Sequence, residues 1–247
     1  MKSSCAKKIL LGCLFLALAI SLSVADEEFS AGLQQAHAGD FTGALKEFQI
    51  STAAQPATGS LLNLGLAAWR DGKLGLALWS WEQTVWQNPG DQAARQNLRY
   101  AFETAQLDAP ELAWHERLST WLSPRIWAVI LCVSLWSTVG MMVLPGVLGA
   151  RKAGWHQTFA AFSLGIFLLS IAPNLGVLSR GRIGFVLERN TPLRLTPTKE
   201  AESIVSMNTG ESVRRIRDRG DFVLIQTAHG AGWVKRDQLA FMGRPLN

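Results

Sequence analysis

The sequence predicts a multidomain membrane protein in three parts: an all-α helical repeat, a transmembrane α-hairpin and a small all-β barrel. Three observations carry this. A set of small, aromatic and proline positions recurs at an offset of 33 residues between residues 26 and 105. Two long runs beyond residue 125 contain no formal charge. From residue 180 onward, short β-prone runs alternate with Gly, Pro, Asn and Asp. Charge follows the same partition. Residues 26–125 hold seven cations and twelve acids, a net of −5, and residues 180–247 hold twelve cations and seven acids, a net of +5. The overall +5 therefore reflects one basic region and one acidic region, and no nucleic-acid partner is expected. With 48% hydrophobic and only 17% charged residues, the chain is too apolar to be disordered.

Residues 1–25 have the pattern of a secretory signal peptide. Lys2, Lys7 and Lys8 precede an apolar run from Ile9 to Ile20, and Ser23-Val24-Ala25 offers small residues before Asp26. Leu10-Leu11-Gly12-Cys13 resembles a lipobox, but the apolar run continues well past Cys13. The three cysteines, Cys5, Cys13 and Cys132, all lie in leader or apolar segments, so the soluble parts have no disulfide framework or cysteine zinc site.

In residues 26–105, Gly32 matches Gly65, Gly39 matches Gly72, Ala44 matches Ala77, Phe48 matches Trp81 and Pro56 matches Pro89. This is tetratricopeptide spacing: small residues let two helices approach, an aromatic fills the gap beside them and proline stops the second helix. Ala93, Ala94, Leu98 and Ala101 mark a capping helix, so the unit is a short solenoid. Trp81 occupies the packing position. Trp69, Trp79 and Trp86 are candidate partner anchors, since Trp is enriched at binding hot spots, or they pack against the capping helix or the membrane-proximal helix.

Residues 106–125 are expected to form an amphipathic membrane-proximal helix, with Trp114, Leu118, Trp121 and Leu122 on one stripe. Such a helix either lies in the membrane interface or packs on the preceding domain. Residues 126–150 and 158–178 are the two spans. The first would be roughly 37 Å long as a helix, against a hydrocarbon core of ~30 Å. Pro145 and Pro173 are tolerable there, where neighbouring groups satisfy the freed backbone. Residues 151–157, with Arg151 and Lys152, are the expected cytoplasmic loop. The cationic leader places residues 26–125 outside. Both soluble domains then face the periplasm of a two-pass inner-membrane protein. Trp121, Trp127 and Trp155 fall at the ends of the spans, and Ser134, Ser137, Thr138 and Gly140 are small residues suited to packing against other spans.

In residues 180–247, strands are expected at Ile183–Leu187, Leu193–Leu195, Ser203–Met207, Val213–Ile216, Phe222–Thr227 and Gly232–Lys235. Closure into a barrel would remove the sheet edges. Thr191-Pro192-Leu193-Arg194-Leu195-Thr196-Pro197, Gly210-Glu211-Ser212-Val213, Gly220-Asp221-Phe222-Val223-Leu224-Ile225 and above all Gly232-Trp233-Val234 resemble a bacterial SH3-like domain. The resemblance implies binding of peptidoglycan or peptides, or a purely structural module. Arg214, Arg215, Arg217 and Arg219 form a dense cationic stretch, and strand alternation would put Arg215, Arg217 and Arg219 on one face. That face would meet lipid headgroups, a cell-wall polymer or the acidic repeat, or simply be solvated.

No phosphate-cradling loop, dinucleotide fingerprint, zinc-protease motif or nucleophile elbow occurs. His37, His115, His156 and His229 fall in four separate segments with no metal-ligand spacing. No catalytic residue, metal or cofactor is expected, and the chain does not read as an enzyme.

The order of an exported repeat, a Trp-rich membrane hairpin and an SH3-like domain resembles the tetratricopeptide (BatE-like) branch of the Bacteroides aerotolerance (Bat) group. The two repeats, Leu122-Ser123-Pro124-Arg125-Ile126-Trp127 and Arg180-Gly181 carry the resemblance. It implies a membrane scaffold working with von Willebrand factor A-type membrane proteins and a MoxR-type AAA+ ATPase in envelope stress or aerotolerance. The alternative is a peptidoglycan-binding anchor or sensor acting through the SH3-like domain. In either case the acidic and basic domains share a compartment, where they could dock on each other in a salt-sensitive way.

Overall fold

The computed structural model describes residues 26–147, 154–198 and 200–243. The predicted signal peptide and residues 151–153 of the predicted loop lie outside the described residues. Eight α-helices and one antiparallel seven-stranded sheet are present among them.

The first five helices are α1 (residues 26–37), α2 (Phe41–Ala54), α3 (Thr58–Arg70), α4 (Leu74–Gln87) and α5 (Gln92–Ala105). The 33-residue offset has a geometric counterpart. Gly39 and Gly72 turn between paired helices at φ of 84° and 78°, a region that disfavours side chains with a Cβ. Gly32 lies against the Phe48 ring and Gly65 against the Trp81 indole, so closely that a Cβ on either glycine would overlap the ring. Ala44 and Ala77 are fully buried. Both second helices end two residues before Pro56 and Pro89. Asp40 and Asp91 cap α2 and α5, accepting from the Gly43 and Ala94 amides at 2.9 Å.

Membrane-proximal residues depart from the expected helix. Only α6 (Trp114–Ser119) is helical, so Trp121 and Leu122 lie beyond its end. The polar side of this helix is the one that turns inward. Glu116 and Ser119 are buried, while Trp114 is 67% and Trp121 71% exposed. Buried hydrogen-bond partners for Glu116, rather than the apolar stripe, set which face turns inward.

The helices α7 (Pro124–Val147) and α8 (Gly154–Arg180) lie in the two apolar runs, of which residues 148–150 fall outside the described residues, and both are long and apolar enough to cross a membrane. The second starts earlier than predicted, so Trp155, His156 and Gln157 are helical rather than loop. Ser134, Thr138, Ser163 and Ser170 are buried, and Ser134 and Thr138 bond to carbonyls one turn back. Ser134 and Thr138 therefore serve this hairpin's own packing and are not free for other spans. The Asn174 side-chain amide crosslinks the pair by donating to the Trp127 carbonyl at 3.2 Å.

The strands are β1 (Ile183–Val186), β2 (Thr191–Arg194), β3 (Ser203–Met207), β4 (Ser212–Arg219), β5 (Phe222–Thr227), β6 (Gly230–Lys235) and β7 (Leu239–Phe241). The order is β3-β2-β6-β5-β4-β1-β7, all antiparallel. Each strand supplies an apolar side chain to one cluster, including Val186, Leu193, Met207, Val213, Ile225, Val234 and Phe241, so the sheet curls round a single core. The expected closure is not made. The ladder ends at β3 and β7, and no pairing joins them among the described residues. Short β7 was not anticipated.

The helical and β parts share a second core. Alternation along β1 sends Val186 to the β cluster, while Ile183 and Phe185 turn to the helices. Ala240 and Met242 do the same at β7, where they meet Leu76, Leu78 and Trp79 of α4. This contact is apolar, and an ion pair between Glu116 and Arg214 joins the acidic and basic regions elsewhere.

Candidate functional site

Two features converge where the helical part, the hairpin and the sheet meet. The first is a polar node. Glu116, with no exposed surface, receives a two-pronged contact from Arg214, with Nη1 at 2.6 Å from Oε1 and Nη2 at 3.1 Å from Oε2. The Ala113 amide donates to Oε2 at 2.9 Å, and the Ser179 hydroxyl donates to Oε1. Burial by itself would raise the Glu116 carboxyl, but the donors from Arg214, Ser179 and Ala113 outweigh it and hold it at about 2. Arg214 also reaches the Glu111 carbonyl at 3.2 Å. One carboxylate thus ties α6, the end of α8 and β4 together. Close approach is required here, since a Cβ at Gly176 of α8 would run into the His115 carbonyl of α6.

Beside this node, buried Arg180 donates to Ser119 Oγ at 3.4 Å and lies over the Trp86 indole at 4.9 Å. Burial pushes the Glu82 carboxyl above its ordinary value, against the pull of the Arg180 guanidinium.

The second feature is a cleft of about 1040 Å³ between the α2–α3 connection, α4 and the start of α7. Ile50, Thr52, Gln87 and Arg125 line it, with Trp79 and Trp86 behind. The Thr52 hydroxyl is buried with no hydrogen-bond partner among the described residues.

The sequence-derived candidates separate. Trp69 packs on Trp81 and Tyr100, with ring centroids at 6.1 and 5.8 Å. Trp79 is 1% exposed and donates to the Phe241 carbonyl at 3.0 Å, so its indole is engaged within the chain. Trp86 is half-buried under Arg180 and borders the cleft. The expected single arginine face is not formed. The β4–β5 register slips between Arg215 and Arg217, leaving Ile216 as a bulge. Arg215 is therefore paired with Ile225 and faces with it, 5.4 Å from the Phe241 ring centroid. Arg217 pairs with Leu224 and Arg219 with Phe222, on the opposite face, and Arg217 stacks 5.7 Å from the Trp233 centroid. Neither Glu116 nor Arg214 was singled out as a site residue, because their contact spans 98 positions and no local pattern announces it.

Among the described residues, no group of three or more His, Cys, Asp or Glu side chains is arranged to hold a metal. In comparisons with known families and curated proteins, no family model and no curated protein matches the chain.

Proposed function

We propose that this chain is a two-pass inner-membrane interaction scaffold, built from tetratricopeptide-like hairpins and an SH3-like β unit on the periplasmic side. In this reading it belongs with Bat-type assemblies of von Willebrand factor A-type membrane proteins and a MoxR-type ATPase. The observation that carries the proposal is the cleft of about 1040 Å³ at the root of α7. It is a concave site that joins helical-repeat residues to the start of an apolar span, so a partner bound there is read by both. The unsatisfied Thr52 hydroxyl and exposed Arg125 supply polar recognition, and Ile50 and Trp86 supply apolar contact.

The test is gentle solubilisation of membranes carrying a C-terminally tagged chain, followed by identification of co-purifying proteins. Recovery of von Willebrand factor A-type membrane proteins or the AAA+ ATPase, lost in an Ile50→Arg or Arg125→Glu variant that still folds, supports the reading. Recovery that is indifferent to both substitutions would move binding away from the cleft. Recovery of muropeptides or cell-wall enzymes instead would favour a peptidoglycan anchor.

A further inference from the structure

We infer that the β4–β5 hairpin rests on the anionic headgroup layer of the same membrane that α7 and α8 cross; this rests on the spanning reading above. The argument begins with β1, which starts at Ile183, three residues after the end of α8 at Arg180. Arg214 pairs with Ile183, its guanidinium lies 3.3 Å from Ser179 Oγ, and the Arg215 amide donates to the Arg182 carbonyl at 2.7 Å. The last turn of the apolar helix therefore sits beside Arg214 and Arg215.

Because β4 is antiparallel to β1, it continues past this point to Arg219 with no β1 partner. At about 3.3 Å per residue, Arg217 and Arg219 lie within roughly 7 and 13 Å of Arg215. The nearer of these distances matches the polar layer outside the hydrocarbon core, roughly 5–8 Å on each side, and the farther lies at its outer margin.

Chemistry at this end suits anionic lipid. Asp218 is ion-paired with Arg215 at 3.6 Å and Arg236 at 3.5 Å, and Lys235 with Asp237 at 3.7 Å. Among the described residues, neither Arg217 nor Arg219 pairs with a carboxylate. Between them and Arg215 the bulge presents Ile216, an aliphatic side chain 52% exposed. Exposed cations flanking an exposed aliphatic group form a surface that enters a headgroup layer, with each cation adding attraction to anionic lipid. Trp114 and Trp121, exposed beside the same helix end, belong at the same depth.

The test uses the full chain in vesicles, with Cys5, Cys13 and Cys132 replaced by Ser and Ile216→Cys carrying a fluorophore. Headgroup-level spin-labelled lipid serves as the quencher. In vesicles containing phosphatidylglycerol, quenching should exceed that in pure phosphatidylcholine by several-fold. It should fall back at high salt and in an Arg217→Gln/Arg219→Gln double variant. Equal quenching in both vesicle types, or none in either, overturns the inference; none in either would turn the two arginines toward an acidic protein partner. Retention in vesicles after an alkaline wash separates the two levels. A retained but unquenched protein refutes only the hairpin contact, whereas a protein washed free refutes the spanning reading and the contact with it.

Discussion

Two joints hold the helical part and the sheet to each other and to the hairpin, and they are built from different physics. At one, α4 lies against β1 and β7 through Leu76, Leu78, Trp79, Phe185 and Met242. Its polar contacts are neutral: Trp79 to the Phe241 carbonyl, and the Gly243 amide to Gln83 Oε1 at 3.0 Å. At the other, α6, α8 and β4 meet round the Glu116 carboxylate and the Arg214 guanidinium. The apolar joint draws on buried area and is indifferent to pH and salt. The ionic joint is directional, so it fixes the angle at which the hairpin leaves the soluble parts. Its strength depends on one proton. The difference teaches that the acidic and basic halves associate through apolar surface and one specific ion pair, with their net charges secondary.

Substitutions should separate the joints, beginning with the largest effect. Trp79→Ala removes a fully buried indole and should destabilise by about 3–5 kcal/mol, read by thermal unfolding in detergent. Gly75→Val should cost about 1–3 kcal/mol by the same assay, since any Cβ there collides with the Val186 carbonyl and must push α4 off the sheet. Glu116→Gln keeps the shape but loses the charge-assisted contacts, at a cost of about 2–3 kcal/mol. Partial exposure of Arg214 moderates that cost, because its freed guanidinium can reach water. Limited proteolysis should then cut within residues 106–113, a connection the node normally holds.

Acid is a milder probe of the same joint. The Glu116 carboxyl is depressed from the ordinary 4.5 to about 2 in the folded protein. Its contribution is therefore complete above pH 4.5 and lost as pH falls from there towards 2. The unfolding midpoint of the parent protein should fall with acid across that window more than that of Glu116→Gln. Smallest of all is salt: the midpoint should move little between low and high ionic strength, because the α4 joint is apolar and screening reaches the ion pair only from its Arg214 side, Glu116 being buried.

How far the sequence reached differs along the chain. Helix pairing in residues 26–105 was legible, because Gly32 with Phe48 and Gly65 with Trp81 encode a local packing rule that repeats. The two apolar runs were legible from composition alone. Six strand positions were readable from β-prone runs between turn residues, but β7 is three residues long and identified mainly by pairing with β1. The inward turn of Glu116 on α6 was not legible, because hydrophobic periodicity says nothing about a carboxylate whose partner lies 98 residues away. The arginine face was misread because strand alternation holds only while the register does, and the bulge at Ile216 breaks it. Trp79 illustrates a general limit: an exposed-looking tryptophan on a repeat helix is indistinguishable from a binding anchor until its intramolecular neighbour is known.

The most direct measurement is the distance between spin labels at Tyr100→Cys on α5 and Arg219→Cys on β4, in cysteine-free protein reconstituted into lipid nanodiscs. A single narrow distribution, unchanged from low to high salt and broadened by Trp79→Ala, is the predicted result. A broad distribution in the parent protein, or one that shifts with salt, would contradict the claim that α4 locks the helical part and the sheet together through an apolar joint.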